Sequence, residues 1–261
     1  MIYFPGNEYH TPANRKRVFW DRMSMNTRAY FVLEYIKIVL HNRKVALSGT
    51  YDTAAWASSS MDIFKIIEDC GGKFHITGLE NIHQHNEPVV FIGNHMSTLE
   101  TMILPVLIAP SKEVTFVVKE PLVKHFFFGP IMRARNPIVV SRTDSRADLT
   151  AVMEQGQKLL AGGTSVIIFP QSTRRIDLVP SEFNSLGVKL ARAARVKVVP
   201  LALKTTFWGN GKLMSHLGPI HRNDPIHFEF GTPFPITGNG KEENQQIISF
   251  IDSRLRIWDR S

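Results

Sequence analysis

Cysteine is almost missing from this chain. Cys70 is the single thiol, so no internal disulfide and no cysteine-based zinc cluster can form. A reducing, cytoplasmic compartment is the simpler expectation. Long apolar runs are missing too. No stretch reaches the ~18 apolar residues of a membrane-spanning helix. The longest, AYFVLEYIKIVL over 29–40, carries Glu34 and Lys37. The opening MIYFPGNEYHTPANRKR has no apolar core behind a basic start, so no secretory signal is expected. There is no G-x-S-x-G elbow, no G-x-x-x-x-G-K-[ST] loop and no H-E-x-x-H helix. No nucleic-acid motif is present, and no nucleic-acid partner is expected. His83 and His85 alternate on one short segment, but no clear further ligands accompany them, so no metal site is expected.

What remains is ample for a core. The chain has 261 residues, 43% of them hydrophobic, which suits one large domain or a domain with a small appendage. Its formal net charge is +8. Residues 1–60 hold eight Lys/Arg and four Asp/Glu, so half of that charge lies in under a quarter of the chain. Positive charge beside apolar helical segments suits an anionic membrane surface. An ordinary basic surface explains it as well, because net charge by itself identifies no partner.

Two helical segments come first. In 27–41, Glu34, Lys37 and His41 fall on one stripe and the rest of the circumference is apolar or aromatic. A second segment, roughly 52–69, starts at a good cap, Asp52 or Thr53, and stops at Gly71-Gly72. Residues 1–72 therefore read as an N-terminal helical hairpin. It is either packed on its own core or a membrane-docking element. After Gly72, β-rich runs recur at 73–77, 88–92, 114–118, 137–141, 165–169, 196–203 and 226–230. Helical stretches at 97–109, 145–161 and 181–194 separate several of them, and 241–257 forms a closing helix. Continuous apolar strands alternating with helices predict an α/β domain over 73–261. Its sheet is mixed and largely parallel, with about seven strands flanked by helices.

Polar residues cluster where such a sheet binds ligands. His95 lies just past the strand 88–92, Lys119 past 114–118, Arg142 past 137–141, and Thr173 and Arg174 past 165–169. Ligands of open α/β sheets bind beyond the carboxyl ends of the strands. A histidine–carboxylate base facing three cationic groups suits transfer to a hydroxyl on a substrate with an anionic headgroup. The carboxylate is Glu100, in GNHMSTLET (93–101), and it has two readings. Ser97-Thr98-Leu99-Glu100 fits the S-x-x-E capping box, with Ser97 as N-cap. His95 and Glu100 also fit H-x-x-x-x-E, a base with its orienting acid. The two are compatible if His95 precedes the helix, though Glu100 must then choose between the Ser97 N–H and the imidazole.

These residues resemble a known family. NHMSTLE (94–100) is similar to the N-H-x-S-x-x-D block of the glycerolipid acyltransferases, best known as 1-acylglycerol-3-phosphate acyltransferases. FVVKEPLVKHFFFGPIMRARNPIVVSR (116–142), FPQSTRR (169–175) and VVPLAL (198–203) resemble the second, third and fourth blocks, in family order. The hairpin resembles the membrane-docking helices of bacterial members. Glu100 stands for the usual aspartate, as in related lipid A acyltransferases. Phe126 stands where proline is frequent, and Ser141 where aspartate often precedes the arginine. Gln171 and Ser172 replace the third block's glutamate and glycine.

The resemblance implies an O-acyltransferase with His95 as general base and Glu100 orienting it. It implies that Lys119, Arg142, Thr173 and Arg174, with Gln171 and Ser172, bind the acceptor. No bound cofactor is implied. The acyl donor is an acyl-carrier-protein or coenzyme A thioester, and the acceptor a lysophospholipid such as 1-acylglycerol-3-phosphate. The implied location is the cytoplasmic face of a membrane, peripheral or monotopic. Gln171 and Ser172 leave open another lyso-lipid or a glycolipid acceptor, and a catalytically silent lipid-binding homologue. Phe126, Phe127 and Phe128 either line an acyl groove or pack in the core. Asn94 is either a substrate contact or a turn residue.

Overall fold

The structure, a computed structural model, describes residues 2–84, 86–171, 173–211 and 215–260. Eight strands form one sheet: β1 (Glu8–His10), β2 (Phe74–Thr77), β3 (Val90–Gly93), β4 (Val114–Lys119), β5 (Ile138–Val140), β6 (Ser165–Ile168), β7 (Val198–Lys204) and β8 (Ile226–Phe230). Among the described residues ten α-helices accompany them: α1 (Phe19–Met23), α2 (Ala29–Leu47), α3 (Thr53–Asp69), α4 (Glu80–His83), α5 (Leu99–Ile108), α6 (Glu120–Lys124), α7 (Gly129–Arg133), α8 (Ser145–Ala161), α9 (Leu186–Ala194) and α10 (Lys241–Trp258).

The strand order is β1-β2-β8-β7-β3-β6-β4-β5. Only the β1–β2 and β7–β8 pairs are antiparallel, so the sheet is mixed and largely parallel, as expected. All seven expected strands are present. The eighth, β1, comes from the segment before the hairpin and pairs along the edge of β2. Its three residues, Glu-Tyr-His, hold no apolar run to announce a strand.

Alternation along each strand sends side chains to two separate cores. In β3, Phe91 joins a core built with α2, α3 and α5, while Val90 and Ile92 join one built with α8, α9 and α10. Helices α2 and α3 cover the two segments with helical pattern, and Asp52 caps α3 by accepting the Ala55 N–H at 2.8 Å. Helix α2 runs past His41 to Leu47. Helix α3 is part of the main core. Pro105 sits inside α5, where proline disturbs the i→i−4 ladder. The Ser60 hydroxyl of α3 inserts at that point. It donates to the Met102 carbonyl at 2.5 Å and accepts the Val106 N–H at 3.0 Å.

Three histidines share one row across the sheet edge, His10 opposite His75 and His75 opposite His227. His10 and His75 face each other Nδ1 to Nδ1 at 3.0 Å. The His227 ring lies between those of His75 and Trp258, stacked at 4.9 and 4.7 Å. Burial, and then the charges of His75, Lys204 and His10, push the His227 pKa down to about 4. Burial and His10 push His75 down as well. Below the ordinary histidine value of 6.5, the unfolded chain therefore binds more protons than the folded one. The contribution of His227 to stability should fall as pH drops from 6.5 and level off once the folded residue protonates near 4. Urea midpoints measured across that window test this, and His227→Phe should flatten the slope.

Candidate active site

Strands β3, β6, β4 and β5 lie side by side and mutually parallel, so their carboxyl ends share one edge. That edge opens into a cavity of about 1110 Å3. His95, Lys119, Arg142, Thr173 and Arg174 all line it, so the structure brings these five together. Ser172 lies outside the described residues. Gln171 is buried and does not line the cavity; its Oε1 accepts the His95 backbone N–H at 3.1 Å. Phe128 lines the cavity, whereas Phe126 and Phe127 are exposed beside α2. Among the described residues no group of three His, Cys, Asp or Glu side chains is placed to hold a metal. His85 lies outside the described residues.

The His95 loop is clamped from several sides. Gly93 packs so close to β7 that a Cβ there would sit 2.9 Å from the Leu201 carbonyl oxygen. This approach lets the buried Asn94 amide pair with Leu203 as a strand would, donating to its carbonyl at 2.8 Å and accepting its N–H at 2.9 Å. Asn94 is thus a backbone brace. The His95 carbonyl accepts from the Arg175 N–H at 2.8 Å. Asn210 holds the Met96 carbonyl at 2.9 Å. The imidazole stacks on Phe169, with ring centroids 4.5 Å apart.

Glu100 is fully buried and its two oxygens are surrounded by donors. Oε1 accepts the N–H groups of Met96 (2.5 Å) and Ser97 (2.9 Å) and lies 3.2 Å from His95 Nδ1. Oε2 accepts the hydroxyls of Ser97 (3.0 Å) and Thr205 (2.9 Å). Burial alone would raise its pKa. The hydrogen bond to His95, the His95 charge and the Ser97 amide outweigh burial and lower it. An ionised carboxylate only accepts, so in the neutral imidazole it is Nδ1 that carries the proton and Nε2 that has the free lone pair.

The expected choice between cap and imidazole does not arise, because Oε1 serves both. The cap itself moves by one residue. Helix α5 begins at Leu99 with Thr98 at the N-cap position and no capping bond from the Thr98 side chain. Ser97 does that work from one residue earlier, accepting the Leu99 N–H at 3.1 Å. Ser97 is therefore structural, as expected, but not as the N-cap.

Facing the base are Lys119, Arg142 and Arg174. Among the described residues neither Lys119 nor Arg142 pairs with a carboxylate. Burial, then the charges of Arg142 and Arg174, push the Lys119 pKa down. Burial also pushes Arg142 and Arg174 down. Lowered cationic pKa values mean that the charged forms are held at a cost that an anion would relieve. Arg142 adopts φ 62°, a left-handed conformation that costs a non-glycine residue about 1–2 kcal/mol.

Sequence reasoning missed three residues here. Lys189 on α9 and Asp148 on α8 line the cavity from helices that carry no motif. Thr205 follows β7, and the rule of strand carboxyl ends, extended one strand further, would have found it. Thr205→Val removes one of the donors to Glu100 Oε2. It should lower stability by about 1 kcal/mol and kcat several-fold. Thermal melts and steady-state kinetics check both, and unchanged kcat would exclude a role for Thr205 in holding Glu100.

Comparison with known proteins identifies the family. Residues 73–204 match the family model described as Acyltransferase. A 1-acyl-sn-glycerol-3-phosphate acyltransferase of Pseudomonas aeruginosa is 30% identical over 78% of this chain and 73% of its own length. The chloroplastic 1-acyl-sn-glycerol-3-phosphate acyltransferase LPAT1 of Arabidopsis thaliana is 30% identical over 61% of this chain and 40% of its own. The crystal structure of the 1-acyl-sn-glycerophosphate (LPA) acyltransferase PlsC from Thermotoga maritima superimposes with a TM-score of 0.65. That match covers 92% of this chain and 97% of the other at 18% identity, and shows the shared fold. With the family's model spanning the strands that carry His95, Lys119, Arg142 and Arg174, the chain belongs to the acyltransferase family and is an O-acyltransferase.

Proposed function

We propose that this enzyme moves an acyl chain from an acyl-carrier-protein or coenzyme A thioester to the free hydroxyl of a lysophospholipid, 1-acylglycerol-3-phosphate. One observation carries this reading. A histidine whose Nδ1 lies 3.2 Å from a buried glutamate shares one cavity with Lys119, Arg142 and Arg174. His95 Nε2 takes the hydroxyl proton as that oxygen attacks the thioester carbonyl. Glu100 stabilises the imidazolium that forms. The tetrahedral intermediate collapses, the C–S bond breaks, and the imidazolium returns the proton to the departing sulfur. Lys119, Arg142 and Arg174 hold the acceptor phosphate, and Thr173 lies beside them. The inner cavity wall, with Val39, Trp56, Ile63, Met102, Phe116 and Ile131, is apolar enough for a fatty chain.

The names of the relatives support the acceptor. The departure at Gln171 does not argue against it, because that side chain braces His95 and leaves the cavity lining alone. The test is transfer from a labelled acyl thioester to a panel of lyso-lipids. Turnover on 1-acylglycerol-3-phosphate supports the reading. Turnover only on another lyso-lipid or a glycolipid transfers the chemistry to that acceptor, and none on any acceptor favours a silent lipid-binding homologue.

We place the enzyme peripherally on the cytoplasmic face of a membrane. No described helix is long and apolar enough to cross one. Helix α2 leaves Leu33, Ile36, Leu40 and Leu47 exposed. At ~100° per residue they fall within an arc of about 60°. Lys37 and Lys44 flank this stripe on one side. On the other, the Arg43 guanidinium lies 4.4 Å over the exposed Phe126 ring. Helix α1 adds exposed Phe19, Trp20 and Met23. Apolar stripes edged with positive charge suit an anionic lipid surface. The docking face of the hairpin is then α2, since α3 is packed in the core. Leu33→Asp with Leu40→Asp should weaken binding to anionic vesicles at least about tenfold, from the apolar area withdrawn. The melting temperature should hardly move, because both sites are on the surface. Unchanged co-sedimentation would remove α2 from the docking surface.

A further inference from the structure

We propose that Asp148 is a positioning residue for the acceptor site, holding the turn after β5 in the one conformation that presents Arg142 to the cavity. This rests on the proposed role of Arg142 as a phosphate contact. The residue type does not favour this turn. Left-handed positions are normally filled by glycine or asparagine, and an arginine fills this one. What fixes it comes from the adjacent helix. Asp148 Oδ1 accepts the Ser141 N–H at 2.7 Å, and Oδ2 accepts the Arg142 N–H at 2.7 Å. The Ser141 hydroxyl adds a third bond to Oδ1 at 3.1 Å, and itself accepts the Thr143 N–H at 3.2 Å. Two successive amides gripped by one carboxylate leave the Arg142 backbone little freedom.

The carboxylate is well placed for this work. It lies near the start of α8, where Asp144 caps the helix by accepting the N–H groups of Arg146 and Ala147. The positive end of the helix favours a negative charge there. The amides of Ser141 and Arg142 lower the Asp148 pKa against the effect of burial. Asp148 and Arg142 both line the cavity and their charges attract each other, but the Asp148 oxygens bond to backbone N–H groups rather than to the guanidinium. Because its oxygens are engaged by backbone, the acid supports the arginine without occupying the guanidinium. Arg142 is thereby left for an incoming phosphate. Ser141 brings no charge to this turn, so Asp148 supplies it.

The experiment is a double-mutant cycle read in two ways, by acyl-transfer kinetics with 1-acylglycerol-3-phosphate and by calorimetric binding of glycerol 3-phosphate. Asp148→Asn should raise the acceptor KM about tenfold, the size of one lost charge-assisted hydrogen bond, with kcat within about twofold. Headgroup affinity should fall by a similar factor. In an Arg142→Ala background, Asp148→Asn should add almost nothing, because the residue acts through Arg142. Asp148→Glu keeps the charge on a longer arm and should fall between wild type and Asp148→Asn. The proposal is overturned if the two effects are additive, if kcat falls at constant KM, or if Asp148→Glu is weaker than Asp148→Asn. Failure of the wild-type protein to bind glycerol 3-phosphate also overturns it. Should wild type bind that headgroup but transfer no acyl chain, the proposed activity fails while the binding cycle still decides the role of Asp148.

Discussion

His95→Ala is expected to lower kcat by ~10²–10⁴-fold while the acceptor KM changes little. The size follows from what is removed. The hydroxyl loses the proton acceptor proposed for it, whereas the cations proposed to hold the phosphate stay in place. The protein should still fold. Glu100 keeps the Met96 and Ser97 amides and the Ser97 and Thr205 hydroxyls, so its buried charge stays compensated. The lost ring contact with Phe169 and one hydrogen bond should cost about 1–2 kcal/mol. A rate loss of that size with a melting temperature only a few degrees lower separates chemistry from folding. Turnover near the wild-type level would eliminate His95 as the base and with it the proposed mechanism.

Much of the site was legible because two rules act locally. Buried parallel strands need continuous apolar runs, and PVVFI, VTFVV, PIVVS and SVIIF supply them. Ligands bind past the carboxyl ends of such strands, and His95, Lys119, Arg142 and Arg174 stand there. What escaped depends on contacts between distant segments. Strand β1 exists only because β2 offers it an edge. Asp148 reads in sequence as an ordinary acid on a helix, and its grip on Arg142 needs the α8–β5 approach. Glycine and asparagine announce left-handed turns; arginine does not. Gln171 looked like a substrate ligand because it lies in a motif, yet its side chain turns inward to the His95 amide. The alternation that hides Ser60 in α3 says nothing of Pro105, the residue whose helix it mends.

Glu100 carries the second large effect, and two substitutions there should part company. In Glu100→Gln the side-chain oxygen has a clear preference. Met96 and Ser97 both aim N–H groups at the Oε1 position, and an amide nitrogen there would face donors. The oxygen therefore stays, His95 Nδ1–H still donates to it, and Nε2 remains the base. Only the charge that stabilises the imidazolium is lost, so kcat should fall about 10–100-fold rather than by the much larger factor of a wrong tautomer. The new amide nitrogen can donate to Thr205 and Ser97, whose hydroxyls rotate to accept, so folding survives with about 1–3 kcal/mol lost.

Glu100→Ala leaves the Met96 and Ser97 amides and the Thr205 hydroxyl buried without that acceptor and frees the imidazole. Stability should then fall by more than about 3 kcal/mol, with activity near that of His95→Ala. The pH dependence of stability adds an independent check. Because the folded Glu100 pKa is lowered, its stabilisation is fully present above the ordinary glutamate value of 4.5 and fades as pH falls through the lower folded value. The stability gap between wild type and Glu100→Gln should therefore be constant at neutral pH and close only below 4.5. That window lies below most of the one assigned to His227. The histidine row is present in both proteins, so its contribution cancels from this gap. Full turnover in a folded Glu100→Gln enzyme would show that the charge is dispensable and reduce Glu100 to a helix cap.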